Sequence, residues 1–251
     1  MRNIVFYLVA LIATSTFTGC GDDLTPDIRT NTLFGFVEAR DEFDVLADDE
    51  GFTVNLIDRE CNAIASTVTD ANGRYEFPDV AFGTYEVTFD KEGYNTYRLT
   101  SKLLEIEGPA PVLLERASIK ATSTTEVSNM NFREQFSTNY RFDLNLSPNE
   151  EDRFYTLFLS TSDSVSRENY QWSFDGPISF GVAETTFFIN GSDLAQYFED
   201  GTTVYIVAYG RTGNVDSYQD INTQQAIFYA TNNTPSNVIS FTYNEEEDDV
   251  L

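Results

Sequence analysis

The sequence predicts an all-β protein made of two β-sandwich domains, and three observations predict it. Aromatic residues are abundant, 21 Phe and 14 Tyr in 251 residues. With Val, Ile and Thr they recur in short alternating runs, the pattern of pleated, half-buried strands. Beyond the N-terminal segment, no apolar pattern of spacing three and four lasts for the length of a helix. Gly, Asn, Asp and Pro separate the runs, as turns require. A chain of this length can bury two ordinary cores.

The first element is not a strand. Arg2 precedes an apolar stretch from Ile4 to Ala13, too short to span a bilayer, so residues 1–19 are expected to be a cleaved export signal. Small residues Thr18 and Gly19 stand directly before Cys20. This stretch resembles the lipobox of bacterial lipoproteins, with Phe17 where that motif usually has Leu. The resemblance implies cleavage before Cys20, followed by fatty acylation of the thiol (palmitate is the familiar acyl chain) and of the new amino group. Several acyl chains anchor stably where one holds only marginally. The alternative is an ordinary secretory signal with an incidental Cys. The acidic pair in "CGDD" resembles the signal by which some Gram-negative bacteria place lipoproteins on the outer face of the outer membrane. The implied location is the outer membrane, lipid-anchored and exposed at the cell surface. Residues 20–31, which contain "LTPDIRTN", show no periodicity and are expected to be a flexible tether.

Residues 32–107 are expected to form the first sandwich. "TLFGFVEA" alternates from Leu33; an acidic loop at 40–51 follows, of no evident role; then "FTVNLID" places Phe52, Val54 and Leu56 on one face. "RECNA" is a turn, and Cys61 within it is expected to be buried in or beside that turn. "IASTV" leads to "TDANG", where Asp70, Asn72 and Gly73 suggest a calcium loop. A calcium loop of the EF-hand type needs Gly at position six and Glu at twelve. Here Gly is fourth and Ala81 twelfth, so a tight hairpin with Asp70 bonding its own turn is expected, and no metal site. "TYEVTF" then alternates through Tyr85, Val87 and Phe89. With Gly35, Val37 and Gly93-Tyr94, the stretch "TDANGRYEFPDVAFGTYEVTF" resembles the carboxypeptidase regulatory-like domain, a transthyretin-like β-sandwich. That family's domain is a non-catalytic appendage found beside peptidases, on outer-membrane receptors and on surface lipoproteins. In related surface sandwiches a Lys on the opening strand forms an isopeptide bond. "TLFGFVEA" holds no Lys, so none is expected.

"EGPAPVLLE" supplies the expected boundary, and residues 108–244 a second sandwich from "ASIKATSTT", "YRFDLNLS", "FYTLFLST", "ETTFFIN", "TVYIVAYG", "AIFYAT" and "NVISFTY". "EDGTTVYIVAYG" and "PSNVISFTY" resemble fibronectin type III and immunoglobulin-like domains, which would make Tyr205 the tyrosine that closes a corner. Tyr170, Trp172 and Phe174 alternate, so a strand would face all three one way. Turned inward they are core, the favoured reading; turned outward they are a ligand-facing strip on which a sugar ring could stack. Asp163-Ser164-Val165 resembles the short acceptor for O-glycosylation in some of these bacteria, with Ser164 the modified residue. Residues 245–251 are an acidic tail expected to be disordered.

Composition narrows function. Fifteen basic against 41 acidic residues give −26, a field that repels nucleic acid and anionic headgroups and suits a solvated coat. The chain has no histidine, which removes Ser-His-Asp and Cys-His nucleophiles, imidazole zinc sites and histidine bases. No catalytic residue, metal site or cofactor is expected. The expectation is a lipid-anchored, non-catalytic binding or structural module. It is either a protein-partner subunit of an outer-membrane assembly or a carbohydrate-binding accessory, and it does not bind nucleic acid.

Overall fold

The structure, a computed structural model, describes residues 29–106, 110–136, 139–148, 152–176, 179–180, 183–213, 217–220 and 223–245. Residues 1–19, Cys20, most of the expected tether and the tail beyond Glu245 lie outside the described residues. Among those described no helix is long and apolar enough to cross a membrane.

The first sandwich contains β1 (Thr30–Arg40), β2 (Thr53–Ile57), β3 (Ala63–Val68), β4 (Arg74–Ala81), β5 (Gly83–Asp90), β6 (Tyr97–Ile106), β7 (Val112–Leu113) and β8 (Ala117–Lys120). One sheet runs β4-β1-β7 with β8 also on β1; the facing sheet runs β3-β2-β5-β6. Alternation does the sorting. Leu33, Val37 and Ala39 of β1 point inward, and Phe52, Val54, Leu56, Val87 and Phe89 meet them from the other sheet. Burying this set supplies the driving force that joins the sheets.

Two expectations for this sandwich are corrected. The boundary at 107–108 is too early: β7 and β8 pair in parallel with β1, so the first sheet runs on to Lys120. Proline punctuation marked a bend in the chain there, not the edge of the core. The "TDANG" turn does not make a hairpin either, because β3 pairs with β2 while β4 pairs with β1. It is a corner that passes the chain from one sheet to the other. Its local chemistry is as expected: Asp70 Oδ1 accepts from the amides of Asn72 (2.8 Å) and Arg74 (3.0 Å). Gly73 sits at φ +70°. Its carbonyl accepts from the Val37 amide at 2.9 Å, which seats the corner on β1.

Cys61 is also corrected. It is exposed at the tip of the β2–β3 turn with φ 65°. Asp58 organises that turn by accepting from the amides of Glu60 and Asn62. Position 61 must adopt a left-handed conformation at the tip, which faces it to solvent.

The second sandwich contains β9 (Glu126–Phe136), β10 (Asn139–Ser147), β11 (Asp152–Ser160), β12 (Trp172–Asp175), β13 (Ser179–Phe180), β14 (Glu184–Asn190), a single helical turn α1 (Gly191–Leu194), β15 (Thr203–Arg211), β16 (Ser217–Gln219), β17 (Ala226–Phe228) and β18 (Ile239–Thr242). One sheet is β14-β10-β9. The other is β12-β11-β15-β18 with β13 on β11, and β16-β17 is a separate hairpin. Tyr155, Leu157, Leu159, Val204 and Ile206 fill the core between the sheets with Tyr140, Phe142 and Phe187. The opposite face of β11 and β15 is buried as well. There Phe158, Val207 and Tyr209 pack with Val165 and Phe228 in an outer cluster. Strands covered on both faces read as continuous apolar runs, as "FYTLFLS" and "TVYIVAYG" do.

Tyr205, expected at a corner, packs partly buried against this outer cluster. A tyrosine that does tie two segments through backbone is Tyr140, whose hydroxyl donates to the Asn244 carbonyl (3.0 Å) and accepts from the Asn244 amide (2.8 Å). The longest strand of this sandwich, β9, was missed in the sequence. A residue at positive φ, Asn129, and register shifts against β10 break its alternation.

The corner turn generates a prediction. A Cβ on Gly73 would stand 2.5 Å from the Val37 carbonyl oxygen at a backbone angle unsuited to L side chains. Gly73→Ala is expected to cost at least about 1–2 kcal/mol from backbone strain alone, read as a lower urea midpoint. Gly93→Ala, also at positive φ but with open space around it, is expected to cost less.

Candidate functional site

The acidic loop between β1 and β2 has a structural role at the joint between the sandwiches. Asp41 shapes it by accepting from the amides of Phe43 and Val45. This presents Glu42 to the second sandwich, where its carboxylate accepts from the Thr124 amide (2.8 Å), the Thr124 hydroxyl (2.7 Å) and the Thr212 hydroxyl (2.8 Å). Arg153, itself buried, donates to it at 3.3 Å, and the guanidinium lies over the Phe43 ring. Burial pushes the Glu42 carboxyl up. The Thr124 and Thr212 hydrogen bonds and the Arg153 charge outweigh it and hold the carboxyl below its ordinary value of 4.5.

On the other side of the joint, the Asn95 amide donates to the carbonyls of Tyr229 (2.6 Å) and Thr231 (3.0 Å). Linker residues complete the contact, with the Thr122 amide donating to the Gly93 carbonyl and the Ser123 amide to the Ala230 carbonyl. The sandwiches are thus fastened by the β1–β2 loop, the β5–β6 turn and the linker itself.

Beside Asn95 the joint opens into a cleft of about 410 Å³. One wall is the β5–β6 turn and the start of β6, with Thr96 and Arg98; the other is the β16–β17 hairpin, with Tyr218 and Ile227 paired across it. The aromatic residues bridge the domains. Tyr97 lies edge-on to Tyr229 (centroids 4.9 Å) and to Tyr218 (5.6 Å), and Tyr218 is near-parallel to Tyr229 at 6.0 Å. Burial pushes the Tyr218 hydroxyl up to about 12, so it stays a neutral donor at physiological pH.

Charged groups ring these aromatics in pairs. Arg98 lies 3.0 Å from Glu86 and 3.7 Å from Asp220, joining β5, β6 and the hairpin. Burial pushes the Glu86 carboxyl above its ordinary value; Arg98 opposes this and Asp220 adds to it. At the far rim Arg167 pairs with Glu168 at 2.6 Å and donates to Thr231 and Asn233. The cleft therefore offers aromatic faces, an amide, a phenol and guanidinium-carboxylate pairs within one concave surface. No group of three or more His, Cys, Asp or Glu side chains among the described residues is placed to hold a metal.

The residues singled out in the sequence lie elsewhere. Tyr170, Trp172 and Phe174 do not share one face. Tyr170 precedes β12 and packs in the outer cluster against Phe158, its hydroxyl donating to the Ala226 carbonyl at 2.8 Å. Trp172 and Phe174 pack half-buried against the main core, with Trp172 stacked on Tyr197 at 5.3 Å. Ser164 is exposed on the loop after β11, while Val165 beside it is buried in the outer cluster. Cys20 lies outside the described residues. The cleft residues were missed because each stands in a short or polar run, and Tyr97 and Tyr218 meet only through the domain joint.

Residues 47–115 match the family described as Carboxypeptidase regulatory-like domain. In the structure this span covers β2 to β7 and leaves out β1 and β8. The search of curated proteins found no match. Solved structures similar to the chain include a Bacteroides uniformis protein whose name provisionally assigns it carbohydrate binding, at 12% identity, covering 85% of this chain and 99% of that one with a TM-score of 0.33. A DUF3823 family protein from Bacteroides uniformis is similar at 16% identity, 85% and 99% coverage and a TM-score of 0.33. Another DUF3823 family protein, from Parabacteroides merdae, is similar at 12% identity, 82% and 98% coverage and a TM-score of 0.29. Likenesses this distant carry no function across.

Two predictions concern Glu42. Glu42→Ala leaves Arg153 buried without its carboxylate and is expected to cost about 3 kcal/mol in urea denaturation. The second is pH-dependent. Because the folded Glu42 value lies below 4.5, the stabilisation is fully present above that pH and is lost as pH falls through the depressed value. The stability gap between the unaltered chain and Glu42→Gln, followed by denaturation from pH 7 to pH 3, is therefore expected to narrow on the acid side.

Proposed function

We propose that this protein is a non-catalytic binding module of the Gram-negative cell exterior, tied to the outer membrane by lipid on Cys20, and that it takes a glycan in the cleft between its sandwiches. The observation that carries this reading is the cleft: a concave surface in which Tyr218 and Tyr229 alternate with Asn95, Arg98 and Asp220. Aromatic rings offer flat apolar faces that suit the C–H face of a sugar. Planar amide, guanidinium and carboxylate groups bind hydroxyls in pairs. A cleft of about 410 Å³ falls within the size range of small-ligand sites. A protein partner needs a face of roughly 800 Å² on each side, and a cleft is the wrong shape for one.

The regulatory-like match over residues 47–115 supports a non-catalytic role, as does the absence of histidine. The "TGCGDD" stretch supports the anchor and the outward location. A lipid-tethered cleft would hold a glycan at the cell surface for transfer to another envelope protein.

Two measurements test the reading. Cys20→Ala is expected to abolish fatty-acid labelling and to release the chain from the membrane fraction; continued labelling would sink the anchor. The full chain carrying Cys20→Ala is expected to be retarded in native gels cast with polysaccharides. Hydrogen exchange of 217–220 and 223–228 should slow when the retarding polysaccharide is added. Co-purification with an outer-membrane protein, with no retardation in any gel, would favour the assembly-subunit alternative instead.

A further inference from the structure

We infer that the glycan taken by the cleft is electrically neutral, with Tyr218 as its stacking platform. This inference rests on the glycan reading above and narrows it. It stands on three features of the site: how its charges are arranged, what surrounds it, and where its aromatic surface lies.

The charges lining the cleft are committed to one another. Arg98 sits between Glu86 and Asp220, and Arg167 is engaged by Glu168, the Thr231 hydroxyl and Asn233. Asp220 Oδ1 in addition accepts from the Thr223 amide at 2.8 Å, which ties that carboxylate to the hairpin turn. A uronate or sulfate entering here would have to take Arg98 from Glu86 and Asp220, leaving those largely buried carboxylates without their partner, or take Arg167 from the more exposed Glu168. Such an exchange is unfavourable. An amino sugar would face the converse exchange. A hydroxyl needs no such exchange, because it can donate to a paired carboxylate and accept from a paired guanidinium at once.

The surroundings act against anions in particular. The chain carries −26 overall, so a polyanionic glycan approaches against the field. The cleft itself adds no excess of positive charge to offset this. Selectivity then comes from shape and stacking, and Tyr218 is the residue placed to supply both. It is half-buried, it lines the cleft, and its backbone is paired with Ile227 across the β16–β17 hairpin. Contact with Tyr97 and Tyr229 holds the ring. A ring held in this way binds without losing much conformational freedom.

The test uses the full chain with Cys20→Ala in affinity electrophoresis. The gels contain neutral polymers (an α-glucan, a mannan, a neutral xylan), polyanions (polygalacturonate, alginate) or the polycation glycol chitosan. The expected result is retardation by at least one neutral polymer, unchanged between low and high salt, none by the polyanions, and by glycol chitosan only the salt-sensitive retention that a chain of −26 gives any polycation. Tyr218→Ala should weaken the neutral-polymer retardation about tenfold, and Tyr218→Phe, which keeps the ring, should stay within a few-fold of the unaltered chain. Retardation only by a charged polymer, lost in Tyr218→Ala, would overturn neutrality while leaving a glycan-binding cleft. Neutral-polymer retardation indifferent to both Tyr218 variants would overturn the cleft as the site, and with it this inference. No retardation beyond the salt-sensitive retention by glycol chitosan overturns both.

Discussion

The carboxylate of Glu42 fixes how the two sandwiches meet, and the remaining features of the joint depend on it. It is delivered by a loop of the first sandwich and received by Thr124, Thr212 and Arg153 of the second. A charge taken out of water is tolerated only when its hydrogen-bonding capacity is met. That condition is satisfied at one relative placement of the domains. Rotation of either sandwich would take Glu42 from its partners and leave Arg153 with only its threonine hydroxyl contacts. The Asn95 contacts on the opposite side would have to break in the same movement. The joint is therefore held by contacts from two separate segments of the first sandwich, the β1–β2 loop and the β5–β6 turn.

A second constraint sits one layer out. β11 and β15 are apolar on both faces, so the second sandwich needs a cover beyond its own two sheets. The β16–β17 hairpin provides it, with Phe228 entering the outer cluster against Phe158. The same hairpin presents Tyr218 and Asp220 toward β6. Burial of an otherwise exposed apolar surface and construction of the cleft wall are thus one structural event. Weakening the outer cluster would loosen the wall.

The strands that alternate cleanly were legible in the sequence. β1, β2 and β5 lie where the period-two pattern puts them, and their inward residues are the ones expected. Legibility failed wherever pairing partners are distant. Nothing local to "ASIK" shows that it joins the first strand of the chain, nor that the chain changes sheets at "TDANG". Asp70 bonds its own turn equally well in a corner and in a hairpin, so the turn chemistry was readable and the topology was not. The aromatic trio at 170–174 failed for a related reason. Alternation implies one face only along a continuous strand, and β12 begins at Trp172, leaving Tyr170 outside it.

The candidate site was hidden for a different physical reason. Charge composition marks the whole chain as acidic, yet within the cleft arginines and carboxylates are matched across segments far apart in the sequence. A count of charges averages over the surface and cannot register such local pairing. The coat's field acts on any approaching ion through its overall charge, whereas groups already paired within the cleft are met only at contact.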